Sequence, residues 1–248
     1  MFWQPTLICM LTERRNGLRD LSKELHSIRK KKVSKREKIL RLLEDGDLAG
    51  LAAQAGEDHS IFRTLISLSY DKESVISWRA IEAIGIIAGE RAKTEPGLVR
   101  NIVQRILWMM REESGNNPWS APEMLGEIVR SAPEEFADIA PIIASFHDEE
   151  ILRRGVLRAL ARISEVRADL VKDSSAIAGL YLGHSDTATR AYALTLVRNL
   201  MLKEFLTSAE SLIGDCSIVR IYSHGDFESV TVGKIAEETV ILLTLKGK

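Results

Sequence analysis

The sequence predicts an all-α fold: a row of helix pairs ended by a small β-hairpin and one last helix. Three observations carry that prediction. Leu, Ile and Ala dominate an apolar content of 45%, while aromatics are only 6%; that balance suits helices better than sheets. Apolar residues recur at helical spacing through most of the chain, with no strand-like alternation before the last forty residues or so. An eight-residue pattern also returns four times, beginning at residues 78, 119, 154 and 190, so that successive copies lie 41, 35 and 36 residues apart. A period of roughly 35 to 45 residues with two helices per unit is the signature of an α-solenoid.

Residues 1–33 read as an N-terminal helical extension, with Leu11, Leu18, Leu21, Leu25 and Ile28 at helical spacing after Pro5. The segment from Arg29 to Arg41 holds eight basic residues and one acid, Glu37. It is either a solvated helix face and linker or a contact for nucleic acid or an acidic partner. Residues 34–207 read as the repeat array. Ile39, Leu40, Leu42 and Leu43 form one apolar stripe, ended by Asp45-Gly46. Asp47 is placed to cap a helix over 48–55, and Ser60 to cap the next. Helices follow over 76–88, from Pro96 through Leu107, and over 119–129, 133–146, 151–163 and 187–200, with a broken helical stretch over 170–182. Prolines at 96 and 133 fit first helical turns.

Residues 208–248 differ. Ile218 to Tyr222 alternates, Ser223-His224-Gly225-Asp226 is a turn signal, and Phe227 to Val230 reads as a return strand. Thr231 is then placed to cap a final helix. The expected role of this hairpin and helix is to close the exposed end of the array.

The repeated pattern is Trp78 to Gly85, Trp119 to Gly126, Arg154 to Ala161 and Arg190 to Val197. The first two copies share Trp, Ala, Glu and Gly. Each copy carries a small residue where close helix contact is wanted. These residues resemble the HEAT-repeat superfamily, including the HEAT-like repeats first described in phycobilisome lyase proteins, over about residues 34–200. Ser77 to Gly85 and Trp119 to Ile128 look like two copies of a signature found in a prokaryotic HEAT-like family. The resemblance implies a right-handed α-solenoid of helix pairs and no particular activity, because such arrays serve many roles.

Charge and cysteine content limit the partners. Formal net charge is −1, which gives no whole-molecule field for nucleic acid or an anionic membrane. Two cysteines, Cys9 and Cys216, have no metal-type spacing and fit a reducing, cytoplasmic compartment. No apolar run approaches the roughly 18 residues that span a bilayer. The five histidines show no metal-ligand spacing, and neither a phosphate loop nor a nucleophile elbow is present. No catalytic set, metal or cofactor is inferred.

The chemically densest stretch is Glu112 to Ile128. It nominates a recognition surface for a protein partner: Trp78, Arg79, Glu82, Glu113, Asn116, Asn117, Trp119, Glu123 and Glu127. Glu123 and Glu127 are four apart and share a helix face, where like charges cost a few tenths of a kcal/mol unless compensated. Glu82 is the repeat equivalent of Glu123, so stacking brings the two columns together, with Arg79 and Arg111 as counter-charges. Two readings stand side by side. Both tryptophans pack between repeats and the glutamates pair with arginines, or tryptophan floors a carboxylate-rimmed groove for a basic peptide, a cation or a small ligand. The leading function is a scaffold or adaptor. The alternative is a nucleic-acid enzyme, since some alkylpurine DNA glycosylases are HEAT-like solenoids of similar length, although carboxylates in a groove repel phosphates.

Overall fold

Local signals start and stop most helices. In the computed structural model, which describes residues 34–56, 58, 60–111 and 120–245, the Asp47 carboxylate accepts the Gly50 N–H at 2.7 Å and opens a helix. The described chain is mostly helical, with a C-terminal two-stranded antiparallel hairpin followed by a helix. From Leu42 onward the described residues form one compact unit, the larger of two.

The helices are α1 (Lys35–Asp45), α2 (Leu48–Ala55), α3 (Ser60–Leu68), α4 (Val75–Ala92), α5 (Pro96–Arg111), α6 (Ala121–Ser131), α7 (Pro133–Phe136), α8 (Ile139–Ala144) and α9 (Arg153–Ser164). A 3-10 segment, Ala168–Ser174, leads into α10 (Ser175–Leu180); α11 (Thr187–Asn199) and α12 (Leu206–Glu210) follow. Strands β1 (Ile218–Ser223) and β2 (Asp226–Thr231) then precede α13 (Val232–Leu245).

Two expectations change in detail. Ser60 is the first residue of α3 rather than its cap, and Asp58 accepts the Ser60 N–H at 3.0 Å. The single helix expected over 133–146 is two, α7 and α8. Pro141 has no N–H to offer the Ala137 carbonyl and its ring crowds that carbonyl, so the helix breaks around Ala137 and Asp138.

Within the larger unit, α4, α6, α9 and α11 pack against one another in chain order, and α13 packs on α11. Each of these four helices carries one copy of the repeated pattern, α6 from Ala121 onward. Helix α5 packs on both α4 and α6, and α8 on both α6 and α9. The small residues set the spacing. A Cβ on Gly85 would stand 2.7 Å from the Cβ and carbonyl oxygen of Glu127, and one on Gly126 would stand 2.6 Å from the Ala159 Cβ. Backbones meet there as any larger side chain would forbid. The core between helices is fully buried Ile81, Ile84, Met124, Leu125, Ile128, Leu157 and Leu160.

The hairpin turns through His224 (φ 50°) and Gly225 (φ 84°), two left-handed residues whose twist matches that of paired strands. Ser223 pairs with Asp226 and Ile218 with Thr231. The Thr231 hydroxyl accepts the Lys234 N–H at 3.2 Å and caps α13. The base of the hairpin is closed by Val232 N–H to the Ser217 carbonyl and Gly233 N–H to the Asp215 carbonyl, at 3.0 and 2.8 Å. Helix α13 takes the place at the end of the row. The hairpin does something else: it reaches back to α4.

Candidate functional site

The site forms where the hairpin lies on the helices. Trp78, in the first turns of α4, is 7% exposed. Its ring stacks on Tyr222 of β1 at 5.7 Å between centroids and 18° between planes, and meets the edge of Phe227 at 6.4 Å. Its indole N–H donates to the Lys72 carbonyl at 2.8 Å. The Arg158 guanidinium of α9 lies over the same ring, 4.5 Å from its centroid, an attraction between cation and ring quadrupole that strengthens out of water.

Arg79 and Glu82 hold the same hairpin. Arg79 donates to the Gly225 carbonyl at the hairpin tip (2.8 Å) and to the Leu43 and Glu44 carbonyls (2.8 and 2.7 Å). It therefore serves backbone oxygens, not the glutamates for which the sequence nominated it. Glu82 accepts the Tyr222 hydroxyl at 2.6 Å. Burial and that carboxylate push the Tyr222 phenol above its ordinary range, so it stays a donor. Arg220 of β1 adds an exposed pair with Glu73 at 3.2 Å.

Glu127 lies under this layer, 2% exposed. Arg158 reaches its Oε1 at 3.2 Å and Arg162 at 2.8 Å, with Arg130 at 3.9 Å from Oε2. Burial alone raises a carboxyl pKa. Here the charges of Arg158, Arg162 and Arg130 and the Arg162 hydrogen bond outweigh it and hold Glu127 below the ordinary range. Burial likewise works against the Arg162 charge, but Glu127 and Glu165 keep its pKa above normal. Glu123, one turn earlier and 2% exposed, accepts from Lys72 Nζ at 2.7 Å through Oε1. Its buried Oε2 has no hydrogen-bond partner and rests over Gly155, where a Cβ would collide with the carboxylate.

The structure thus brings Trp78, Arg79 and Glu82 together around the hairpin, and places Glu123 and Glu127 in the buried seam between α6 and its neighbours. Glu113, Asn116, Asn117 and Trp119 lie outside the described residues, as do the expected extension over 1–33 and its basic Arg29 to Lys32. Arg111 ends α5, and none of the ion pairs on Glu82, Glu123 or Glu127 uses it. Sequence reasoning missed Lys72, Arg158, Arg162, Tyr192 and Tyr222. Two of these were legible: Arg158 and Arg162 sit 35 residues after Glu123 and Glu127, in the same repeat positions, and so are the natural counter-charges in the next copy.

A second polar column runs along the row. Arg154 pairs with Asp186 in the next unit, and its repeat equivalent Arg190 pairs with Asp215 at 2.7 Å. Asp186 also accepts the N–H and hydroxyl of Thr189 at 2.9 and 2.7 Å, capping α11. Burial would raise the Asp186 pKa, but hydrogen bonds from Arg154 and Thr189 bring it to about 2. A carboxyl lowered on folding adds stability above its unfolded value of about 3.9 and loses it as pH falls toward about 2. Asp186→Asn is therefore expected to lose less stability than wild type between pH 4 and pH 2.5, read by urea unfolding at the two pH values. Equal losses would remove Asp186 from the acid response.

Among the described residues, no group of three or more His, Cys, Asp or Glu is placed to hold a metal ion, and no helix is long and apolar enough to cross a membrane. No protein-family profile matches the chain. An uncharacterized protein of Archaeoglobus fulgidus is similar, 30% identical over 107 residues that make up 42% of this chain and 55% of that protein. The chain spans about half the length of this curated relative. Among solved structures, the crystal structure of an engineered protein is similar with a TM-score of 0.51, covering 86% of this chain and 97% of that chain at 16% identity. At that identity the likeness extends to the fold alone.

Proposed function

We propose that the chain is a binding module, a scaffold or adaptor for a protein partner, built as a right-handed HEAT-like α-solenoid and working in the cytoplasm. The observation that carries this reading is the docked hairpin. A face of the helix row, through Trp78, Arg79 and Glu82, already holds a peptide ribbon by aromatic stacking, a backbone carbonyl and a tyrosine hydroxyl. Those are the contacts with which a groove recognises an extended segment of another protein. Support for the repeat reading comes from the chain-order packing of the four pattern-bearing helices and the glycine contacts between them. The nucleic-acid alternative finds less support, because the arginines around the hairpin are paired within the protein, Arg158 and Arg162 with Glu127 and Arg220 with Glu73, and paired cations offer less to phosphates.

The reading makes the hairpin an internal occupant of the recognition face. Replacing residues 219–230 by a short Gly-Ser linker is expected to increase capture of a partner from native lysate. Adding Trp78→Ala to that chain is expected to abolish the gain. Identical protein sets from wild type, the linker chain and the doubly altered chain would remove this face as the recognition surface.

A further inference from the structure

Between the hairpin and the helices lies a cavity of about 290 Å³. Its floor is α9 and α11, its roof the two strands, and its end wall α13. The buried part of the lining is Arg158, Ala161, Tyr192, Tyr222 and Ile235. The exposed part, where solvent enters, is Glu165, Glu228, Ser229, Lys234 and Glu238. The volume is at the lower end of the roughly 300 to 1,000 Å³ typical of small-molecule sites, too small for a folded segment of a partner.

Charge in the wall chooses the ligand. Arg158, Arg162, Arg198 and Lys234 line the cavity with Glu165, Glu228 and Glu238, four positive charges to three negative. Behind the wall, Glu127 and Arg130 add one charge of each sign. Arg198 is matched by Glu238 at 3.1 Å, and at the mouth Lys234 and Glu228 add one charge of each sign. Two phenols flank the excess charge, and both stay protonated: burial raises Tyr192 and Tyr222 alike, aided at Tyr222 by Glu82. A buried wall with one surplus cation and two neutral phenols favours a single negative charge and disfavours a cation. The rest of the buried lining is apolar or aromatic, and Ile221 and Val230 continue it along the roof.

We propose that this cavity binds a small organic monoanion: a carboxylate on an aromatic or apolar body, its charge on the Arg158 and Arg162 side and its body between Tyr192, Tyr222 and Ile235. Inorganic phosphate fits less well, since its second charge exceeds what the wall can match and it has no apolar body to bury. The inference goes beyond the scaffold reading. It concerns the chain with its hairpin in place, so failure of partner capture leaves it standing, and its own failure leaves partner capture standing.

The test titrates the full chain with sodium benzoate, neutral benzamide and inorganic phosphate at constant ionic strength. Binding is followed by amide chemical shifts of Ile221, Tyr222, Val230 and Ile235. Benzoate is expected to saturate and to shift these residues, benzamide to bind at least tenfold more weakly, and phosphate to leave them unmoved. Arg158→Gln is expected to abolish the benzoate shifts. Because Arg158 also holds Glu127, Ser229→Trp provides a second variant at an exposed strand position, where a bulky ring fills the mouth without disturbing the buried pairs. The proposal is overturned if benzoate does not saturate, if it shifts residues elsewhere, if benzamide binds as well, if phosphate binds these residues more tightly, or if folded Ser229→Trp binds benzoate as wild type does.

Discussion

Replacing Glu127 with alanine is expected to cost about 3–5 kcal/mol of folding stability, the range for breaking a buried ion pair. The carboxylate is 2% exposed and Arg158, its partner in α9, is 3% exposed. Neither can reach water when the other is lost. Arg162 and Arg130 face the same carboxylate, so removing it leaves three cations with Glu165 alone to offset them at a helix seam. Urea unfolding of the purified variant checks this, with Glu127→Gln as an intermediate case that keeps acceptor capacity but not charge. A loss below about 1 kcal/mol, the scale of an exposed pair, would show that the arginines relax into solvent and that the seam does not depend on the pair.

Trp78→Ala is expected to cost about 3–5 kcal/mol as well, the range for truncating a large buried aromatic. It removes the stack on Tyr222, the ring under Arg158 and the indole donor to Lys72. Its second signature is local. The hairpin tip is held near α4 by Trp78, Arg79 and Glu82, so amide exchange in residues 219–230 should accelerate more than exchange in α9 and α11. Trp78→Phe keeps a ring for Tyr222 and should recover part of both effects. Uniform acceleration across the whole unit would mean that Trp78 supports the helices and that the hairpin is secured elsewhere.

The two variants probe parts of the site that were unequally legible. The helices were readable because their apolar period and caps are local: Asp47, Pro96 and Thr231 each stand where a helix begins. The hairpin was readable because Gly225 follows a polar residue between two alternating runs. The repeat was readable because Gly85 and Gly126 recur in register, and the structure puts both at close backbone contacts. The break at Ala137 and Asp138 was missed although Pro141 announces it, since a proline that opens one helix can end the helix before it.

The candidate site divides along the same line. Trp78, Glu123 and Glu127 drew notice by residue type and spacing, but their partners could not be read from nearby residues. Trp78 and Tyr222 are far apart in the chain, as are Arg79 and Gly225, and no local pattern encodes such a meeting. The fate of Glu123 and Glu127 depended on facing residues of the next copy. Sequence by itself determined the helical elements, the four-fold repeat and the hairpin, because each is dictated by interactions within a few residues or by a period. The tertiary structure alone decided that the hairpin folds back onto α4 and that a cavity remains beneath the strands. Those outcomes follow from which surfaces gain most by leaving water together, a comparison made across the whole folded unit.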